Sequence, residues 1–307
     1  MDLGYVQYQE SLKGLESISE GIRRNLLYEA FPRYIPIDFA NQPGFKGLKS
    51  FSYEKEILFI SRFFYRGMKD EWGRPLLEAY IVAIHRDEFQ KYFRDIGLIV
   101  NLLDLMAEQE ALDKEKFLAM LESKSFFIDS ERFSDFIDLL RKIEPVFSSQ
   151  VLGSIIDKRE LIIPADSNSK SLIKVIFGFL PKAVLYSISI SSICTNPLAD
   201  DRENVIITPI EIGKTKKPVV DFKSKTVWNG TKNELIHFII EELIENAWFG
   251  FSPIELFNFL IDYLDLAGTG KILDPTEISE KLDAMKKTLL KADRLYNLLK
   301  RNLKRIT

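Results

Sequence analysis

A histidine beside two carboxylates is the first group in this chain whose side chains suit acid–base catalysis. His85 is followed by Asp87 and Glu88, and an imidazole oriented by a carboxylate can act as a general base near neutral pH. The same residues end an apolar stretch and open a helical one, where acidic side chains favour the first helical turn. A hydrolase-type enzyme with a site near His85 is therefore an alternative to a purely structural turn.

Two further motifs point towards a metal or a phosphate, and each lacks part of the required pattern. Glu234 and His237 have the Glu-x-x-His spacing of carboxylate-bridged metal sites, but such sites need a second helix of this kind, and the chain contains two histidines in all. The segment Gly268–Lys271 follows Asp265, where a phosphate-binding loop needs glycine, and precedes Ile272, where it needs Ser or Thr. We therefore predict no catalytic residue, no metal and no cofactor.

The densest cluster of polar and aromatic side chains lies between positions 62 and 74, at a turn that joins two apolar strands. Arg, Tyr and Trp carry much of the energy of protein interfaces, and loops held by rigid strands often carry function. A structural role, with Arg74 paired to an acidic neighbour across the turn, stays open. The predicted partner-binding residues of this turn are Arg62, Tyr65, Arg66, Asp70, Glu71, Trp72 and Arg74.

The segment 281–307 predicts a long amphipathic helix with a basic surface. Its apolar residues recur at alternating spacings of three and four, as in a helix–helix seam, and it contains nine Lys or Arg against two Asp. Packing on the protein's own body, pairing with another chain, and lying on an anionic membrane surface all fit this pattern. The predicted contact residues of the seam are Leu289, Tyr296, Leu299 and Leu303.

Composition limits the classes of protein that fit. The 307 residues are 46% hydrophobic and include 23 Phe and 11 Tyr, which excludes a disordered chain and predicts more than one domain. Outside residues 281–307 the net charge is −10, which argues against a nucleic-acid-binding protein. Cys194 is the single cysteine, and no apolar run approaches the ~20 residues of a membrane span. A reducing, cytoplasmic location is therefore predicted.

Hydrophobic periodicity predicts the elements that would position these residues. The stretch 96–106 has the spacing of one helix face, and SLIKVIFGFL before Pro181 predicts a buried helix. The stretch VLYSISISSI (184–193) alternates strictly, which predicts a half-buried strand. Strands are also predicted at 3–9, 15–18, 49–54, 57–65, 76–85, 204–212 and 219–227, with a short one in RELIIPA.

Three helices in the C-terminal third are predicted to begin with a capping box. In this motif the first side chain binds an amide of the first turn, and a Glu three residues later binds back. The three boxes begin at Thr231, Ser252 and Asp274.

Together these elements predict an α+β protein. It has a mixed N-terminal sheet domain, a helical insert, a second small sheet with one helix, and a helical C-terminal part. The predicted boundaries of these four parts are 1–95, 96–158, 159–230 and 231–307.

Several stretches, taken in order, resemble the N-terminal and middle regions of the prokaryotic GTPase-associated adaptor proteins. The matching stretches are YVQYQ, GLESISEGI, ISRFFY, DEWGRP and EAYIVAI, followed later by FLPKAVLYSISISS. The Gly73-Arg74-Pro75 element is the most specific of these. The resemblance implies a non-enzymatic adaptor or regulator that works with a small GTPase.

The sequence thus favours an adaptor that binds a partner protein through the 62–75 turn, the C-terminal helix, or both. Binding to a membrane surface through the basic helix and assembly into a homo-oligomer stay open.

Overall fold

A computed structural model gives the fold of most of the chain. It describes residues 2–8, 15–17, 26, 44, 46–69, 71–73, 75–92, 94–109, 114–126, 129–192, 203–209, 211–247, 253–268 and 276–288. Helices and strands both contribute to one mixed architecture, so the predicted α+β class is confirmed.

The strands of the described residues form one mixed sheet of ten strands. They are β1 (Asp2–Tyr8), β2 (Leu15–Ser17), β3 (Lys46–Tyr53), β4 (Ile57–Lys69), β5 (Pro75–His85), β6 (Leu161–Pro164), β7 (Ile190–Ser192), β8 (Val205–Thr208), β9 (Val219–Asp221) and β10 (Thr226–Trp228). Their spatial order is β10-β9-β6-β8-β7-β3-β4-β5-β1-β2. The strands predicted for a second small sheet therefore continue the first one.

The helices with described bounds follow β5: five lie between β5 and β6, two between β6 and β7, and the rest after β10. They are α1 (Arg86–Lys91), α2 (Ile96–Gln109), α3 (Lys114–Phe126), α4 (Asp129–Ile143), α5 (Pro145–Lys158), α6 (Ser169–Phe179), α7 (Lys182–Leu185), α8 (Glu234–Asn246) and α9 (Pro253–Gly268). A last helix, α10, spans 276–288. None of the described helices combines the length and apolar character needed to cross a bilayer.

The sheet has an antiparallel half and a parallel half. Strands β1 to β5 pair antiparallel with one another, whereas β7, β8, β6 and β9 pair parallel. The two halves join where Lys49 and Ser50 of β3 pair antiparallel with Ser191 and Ile190 of β7. The sequences LIIP and VIIT of β6 and β8 are apolar runs, as expected for parallel strands covered on both faces.

Side chains of the antiparallel strands point alternately to the two faces of the sheet, and each face has its own hydrophobic cluster. Leu58 and Ile60 of β4 face the helices and belong to the larger cluster, which runs from Leu3 to Leu282 and includes residues of all four predicted parts. Phe59 and Phe63 point to the other face, into a smaller cluster. Since side chains alternate across a strand, β4 contributes to the cores on both sides of the sheet.

The alternating stretch 184–193 is not one strand, which corrects the sequence prediction. Pro181 caps the short helix α7, because its carbonyl accepts bonds from the amides of Val184 and Leu185, both at 2.8 Å. Among the described residues of this stretch, Ile190–Ser192 alone form a strand of the sheet. The strict alternation therefore reflects a helical turn and an irregular segment, in addition to a short strand.

The predicted strand 219–227 is a hairpin. Strands β9 and β10 pair antiparallel, and the Asp221 carboxylate accepts bonds from the amides of Lys223 and Ser224, at 2.9 and 3.3 Å. An Asp side chain that bonds the backbone two residues ahead reverses the chain. This turn divides the predicted strand in two.

The cap of α8 is Asn233 and not the predicted Thr231. The Asn233 side chain accepts a bond from the amide of Ile236 at 3.1 Å, and the helix begins at Glu234. The Thr231 amide instead donates to Ser154 Oγ on α5, at 3.1 Å. The other two predicted caps, Ser252 and Asp274, lie outside the described residues.

Candidate functional site

Strands β4 and β5 continue beyond the described residues that pair with them on either side. The described pairs of β3 with β4 reach Phe64, and the described pairs of β1 with β5 reach Leu77. Beyond this point the β4–β5 register shifts, and Gly67 has a left-handed φ of 84°. A bulge of this kind bends a hairpin and turns its end away from the sheet. We call the described residues between 66 and 76 the β4–β5 arm.

Two arginines on the helix-facing side of β4 fix the base of the arm to α2. Arg62 Nε donates to Asp104 Oδ1 at 2.8 Å, and Arg66 donates to the carbonyl of Ala107. Arg66 Nε also lies 2.7 Å from a carboxylate oxygen of Glu78, which is buried. These charge-assisted bonds hold the arm on a rigid helix.

The other predicted residues of the turn lie in different environments. Tyr65 is 2% exposed and belongs to the smaller hydrophobic cluster, so it is a core residue. Trp72 is 63% exposed and Met68 is 42% exposed, and Glu71 is also exposed. Asp70 and Arg74 lie outside the described residues, as do Leu289, Tyr296, Leu299 and Leu303 of the predicted C-terminal seam.

The described part of the C-terminal helix packs on the protein's own body. Ile278 and Leu282 of α10 are buried in the larger cluster, and Lys281 Nζ lies 5.1 Å above the ring of Tyr263 on α9. Of the three arrangements that the sequence left open for this helix, residues 276–288 adopt the packing on the protein's own body.

His85 caps a helix. Its Nδ1 accepts a bond from the amide of Asp87 at 3.3 Å and forms the N-cap of α1. His237 lies beside Glu241, with Nε2 and Oε1 3.4 Å apart. Within the described ranges no group of three or more His, Cys, Asp or Glu could hold a metal ion.

A buried charge network lies a few residues after His85. Arg94 is 1% exposed and donates to the carbonyl of Leu180 at 2.7 Å and to Asp265 Oδ2 at 3.1 Å. Asp265 also accepts the Lys182 amide at 2.5 Å. Burial lowers the pKa of Arg94, against the attraction of Asp265, and burial raises the pKa of nearby Tyr186. The network joins the α1–α2 connection, the α6–α7 connection and α9.

A cavity of about 650 Å³ opens between the two halves of the sheet and the helices that cover them. We call it the crevice. Its walls come from β3, β4, α2, α4, the β6–α6 loop, α6 and the ends of β7 and β8. Its charged lining residues are Lys46, Arg62, Asp104, Asp135, Lys170 and Lys174.

Of the described residues that line the crevice, Arg62 alone was predicted from the sequence as a site residue, and it was assigned there to the turn. The others come from stretches up to about 160 positions apart, and no motif spacing connects them. The one local signal is the serine-rich loop before α6, with Lys170 and Lys174 four residues apart. No protein-family model matches the chain, and no match was found among curated proteins.

Proposed function

We propose that this chain is a cytoplasmic adaptor that binds a partner protein through the tip of the β4–β5 arm. The observation that supports the proposal best is the exposure of Trp72 and Met68, 63% and 42%, on this arm. Apolar side chains exposed close together on one arm favour an interaction surface, whereas single exposed ones are common on any protein. Trp is also the residue type most often found at the energetic centre of a protein interface.

The anchoring of the arm adds to this argument. Arg62 and Arg66 hold its base on α2, so its tip loses little conformational freedom when a partner binds. Preorganisation of this kind improves affinity because less ordering entropy is lost on association. The exposed charged residues Lys69 and Glu71 lie between Met68 and Trp72 in sequence and fit the polar part of an interface.

The resemblance to GTPase-associated adaptors suggests the class of the partner. A small GTPase changes its switch loops with the bound nucleotide. We therefore expect the partner to be a small GTPase and the affinity to differ between its GDP-bound and GTP-bound forms.

A photo-crosslinking amino acid at Glu71 tests the proposal in the full-length protein. Residue 71 lies on the exposed tip, so the crosslinker should capture the partner directly. The control places the same amino acid at Lys214, which is exposed and distant in sequence from the arm. Capture of one protein from position 71 alone is the expected result, and identical products from both positions would contradict the proposal.

The captured protein then allows a quantitative comparison of two exposed tryptophans. Trp72→Ala should weaken binding by about 30-fold or more, because hot-spot tryptophans contribute about 2 kcal/mol or more. Trp228→Ala is the matched control, since Trp228 is 57% exposed on β10 at the other end of the sheet. Equal affinities of Trp72→Ala and the wild type would exclude the arm as the binding surface.

A further inference from the structure

We propose that the crevice binds a small molecule that carries a phosphate group beside an apolar or ring-shaped part. This inference is independent of the proposed adaptor function. It rests on the position of the crevice in the sheet, on its charge, and on its size and lining.

The crevice lies at a topological switch point of the parallel strands. Strands β6 and β8 are neighbours, but the chain leaves β6 towards β7 on one side and leaves β8 towards β9 on the other. Ala165, next to the end of β6, and Ile207, near the end of β8, both line the crevice. Open α/β sheets bind ligands outside the carboxyl ends of their strands at such a point.

The charge of the crevice favours an anion. Four basic side chains and two carboxylates line it. Asp104 is already bound by Arg62 at 2.8 Å and by Lys46 at 3.5 Å. A concave site with excess charge of one sign attracts and concentrates ligands of the opposite sign.

Lys170 and Lys174 are the cations best placed to receive a ligand. They are one turn apart on the first half of α6 and therefore point to the same side, and neither has an ion-pair partner among the described residues. The stem of Lys174 passes over Gly97 of α2, where a Cβ atom would lie 2.5 Å from Lys174 Cε. Because Gly97 has no side chain, the stem of Lys174 can lie directly against α2 at the crevice wall.

The neutral lining distinguishes phosphate from a simple halide ion. Ser167, Ser171 and Ser192 line the crevice, and hydroxyl groups donate hydrogen bonds to phosphate oxygens. Several donors in addition to charge suit an anion that has several acceptor oxygens.

The size and the apolar lining point to more than a free phosphate ion. A volume of about 650 Å³ is typical of small-molecule sites, which span about 300–1,000 Å³. Leu48, Val100, Leu139 and Ile173 supply an apolar wall. A molecule of mononucleotide size, with one charged end and one ring, matches both parts of the lining.

Isothermal titration of the full-length protein tests the inference. The probes are inorganic phosphate, ribose 5-phosphate, the four nucleoside 5′-monophosphates and the corresponding nucleosides. We expect at least one monophosphate to bind, with inorganic phosphate and the matching nucleoside each at least about tenfold weaker, because a charged hydrogen bond typically accounts for such a factor. Failure of every phosphate-bearing probe to bind at millimolar concentration would overturn the proposal.

Two variants locate the binding. Lys170→Glu with Lys174→Glu should reduce the affinity for the bound probe by about tenfold or more, whereas Lys214→Glu with Lys216→Glu, at exposed positions outside the crevice, should leave it unchanged. Asn101→Trp places a large ring at an exposed lining position and should block binding without a change of charge. Equal losses in the two lysine double variants would show non-specific attraction, and binding that survives Asn101→Trp would place the ligand elsewhere. Either result would refute the assignment to the crevice.

Discussion

The antiparallel and parallel halves of the sheet differ in strand length and in the kind of surface they form. Strand β4 has 13 residues and β5 has 11, whereas β6 and β8 have four each and β7 has three. Antiparallel neighbours need only a tight turn between them, so a hairpin can grow beyond the sheet. Parallel strands need crossover connections, which bring helix ends and loops to one edge. The first half thus forms a projecting arm and the second half a concave crevice.

The two halves are nevertheless joined into one structure. The larger hydrophobic cluster includes residues of both halves, and the β3–β7 pairing connects the strands. Buried charged groups also lie between the halves. The dependence of the halves on each other can be measured as changes in the free energy of unfolding, and the largest change is expected at these buried charges.

The strongest test of this dependence is Asp265→Ala. It removes the anionic partner of Arg94, which is fully buried, and of the Lys182 amide. An uncompensated buried charge costs about 3–5 kcal/mol, so we expect a loss of this size in the free energy of unfolding, measured by urea titration. Asp138→Ala breaks an exposed ion pair with Arg141 and should cost less than about 1 kcal/mol. Equal effects of the two variants would show that the network does not join the halves.

A second test concerns the buried ion pair Lys49–Glu203, whose Nζ and Oε1 atoms lie 3.1 Å apart next to the β3–β7 junction. Glu203→Leu alone leaves Lys49 buried without this carboxylate and should cost about 3 kcal/mol. Adding Lys49→Met should recover most of the loss, because apolar replacements of a whole buried pair are often close to neutral. A double variant no more stable than Glu203→Leu would indicate that Lys49 is needed for another contact.

Two glycines differ in the space around them: Gly47 lies in the tightly packed antiparallel half, and Gly213 lies in a loop of the parallel half. A Cβ atom on Gly47 of β3 would overlap the ring of Phe63 on β4, whereas a Cβ on Gly213 would meet nothing within 4 Å. Gly47→Ala should therefore cost about 1–3 kcal/mol. Gly213→Ala should change the free energy of unfolding by less than about 0.5 kcal/mol. Similar denaturant midpoints for the two variants would contradict this difference.

The smallest expected effect appears only at alkaline pH. Burial raises the pKa of Tyr186, whose hydroxyl has no hydrogen-bond partner in the described part of the chain. Because the unfolded chain loses this proton near its ordinary pKa of about 10, while the folded chain retains it, the free energy of unfolding falls as the pH rises above about 10.

Tyr186→Phe removes this proton and isolates its effect. At pH 7 the free energy of unfolding of the variant should match that of the wild type within about 1 kcal/mol. Above pH 10 it should fall less steeply than that of the wild type, and the two slopes should differ by about 1.4 kcal/mol per pH unit. Thermal or urea unfolding between pH 9 and 11 measures the difference. Parallel stability curves for the two proteins over this range would exclude Tyr186 as the cause.

Local patterns in the sequence predict the antiparallel half well. The alternation and apolar content of 57–65 and 76–85 indicate β4 and β5 within a few residues, and the periodicity of 96–106 indicates α2. Those signals are strong because long strands and helices bury one face over many residues. The bulge near Gly67, which extends β4 to Lys69, depends on backbone geometry that this periodicity does not reveal.

The parallel half is harder to predict because its strands are short and its pairing is non-local. The β3–β7 contact rests on two residue pairs about 140 positions apart, and no local pattern indicates such a contact. Likewise, the crevice combines Lys46, Asp104 and Lys170 from three different elements. The exposed position of Trp72 fits the turn that the sequence identified, whereas Tyr65 is buried because it falls on the other face of β4. Partner binding itself stays a prediction.

The ends of the sheet have a consequence for self-association. At one end of the sheet the outermost strand, β10, has three residues. Residues Lys225 and Asn229, which flank β10, both have left-handed φ values, 50° and 55°, so the backbone turns away on either side. A long, straight edge recruits further strands and promotes aggregation. A three-residue edge such as β10 offers few unpaired backbone groups to a further strand, so lengthening β10 is expected to promote self-association.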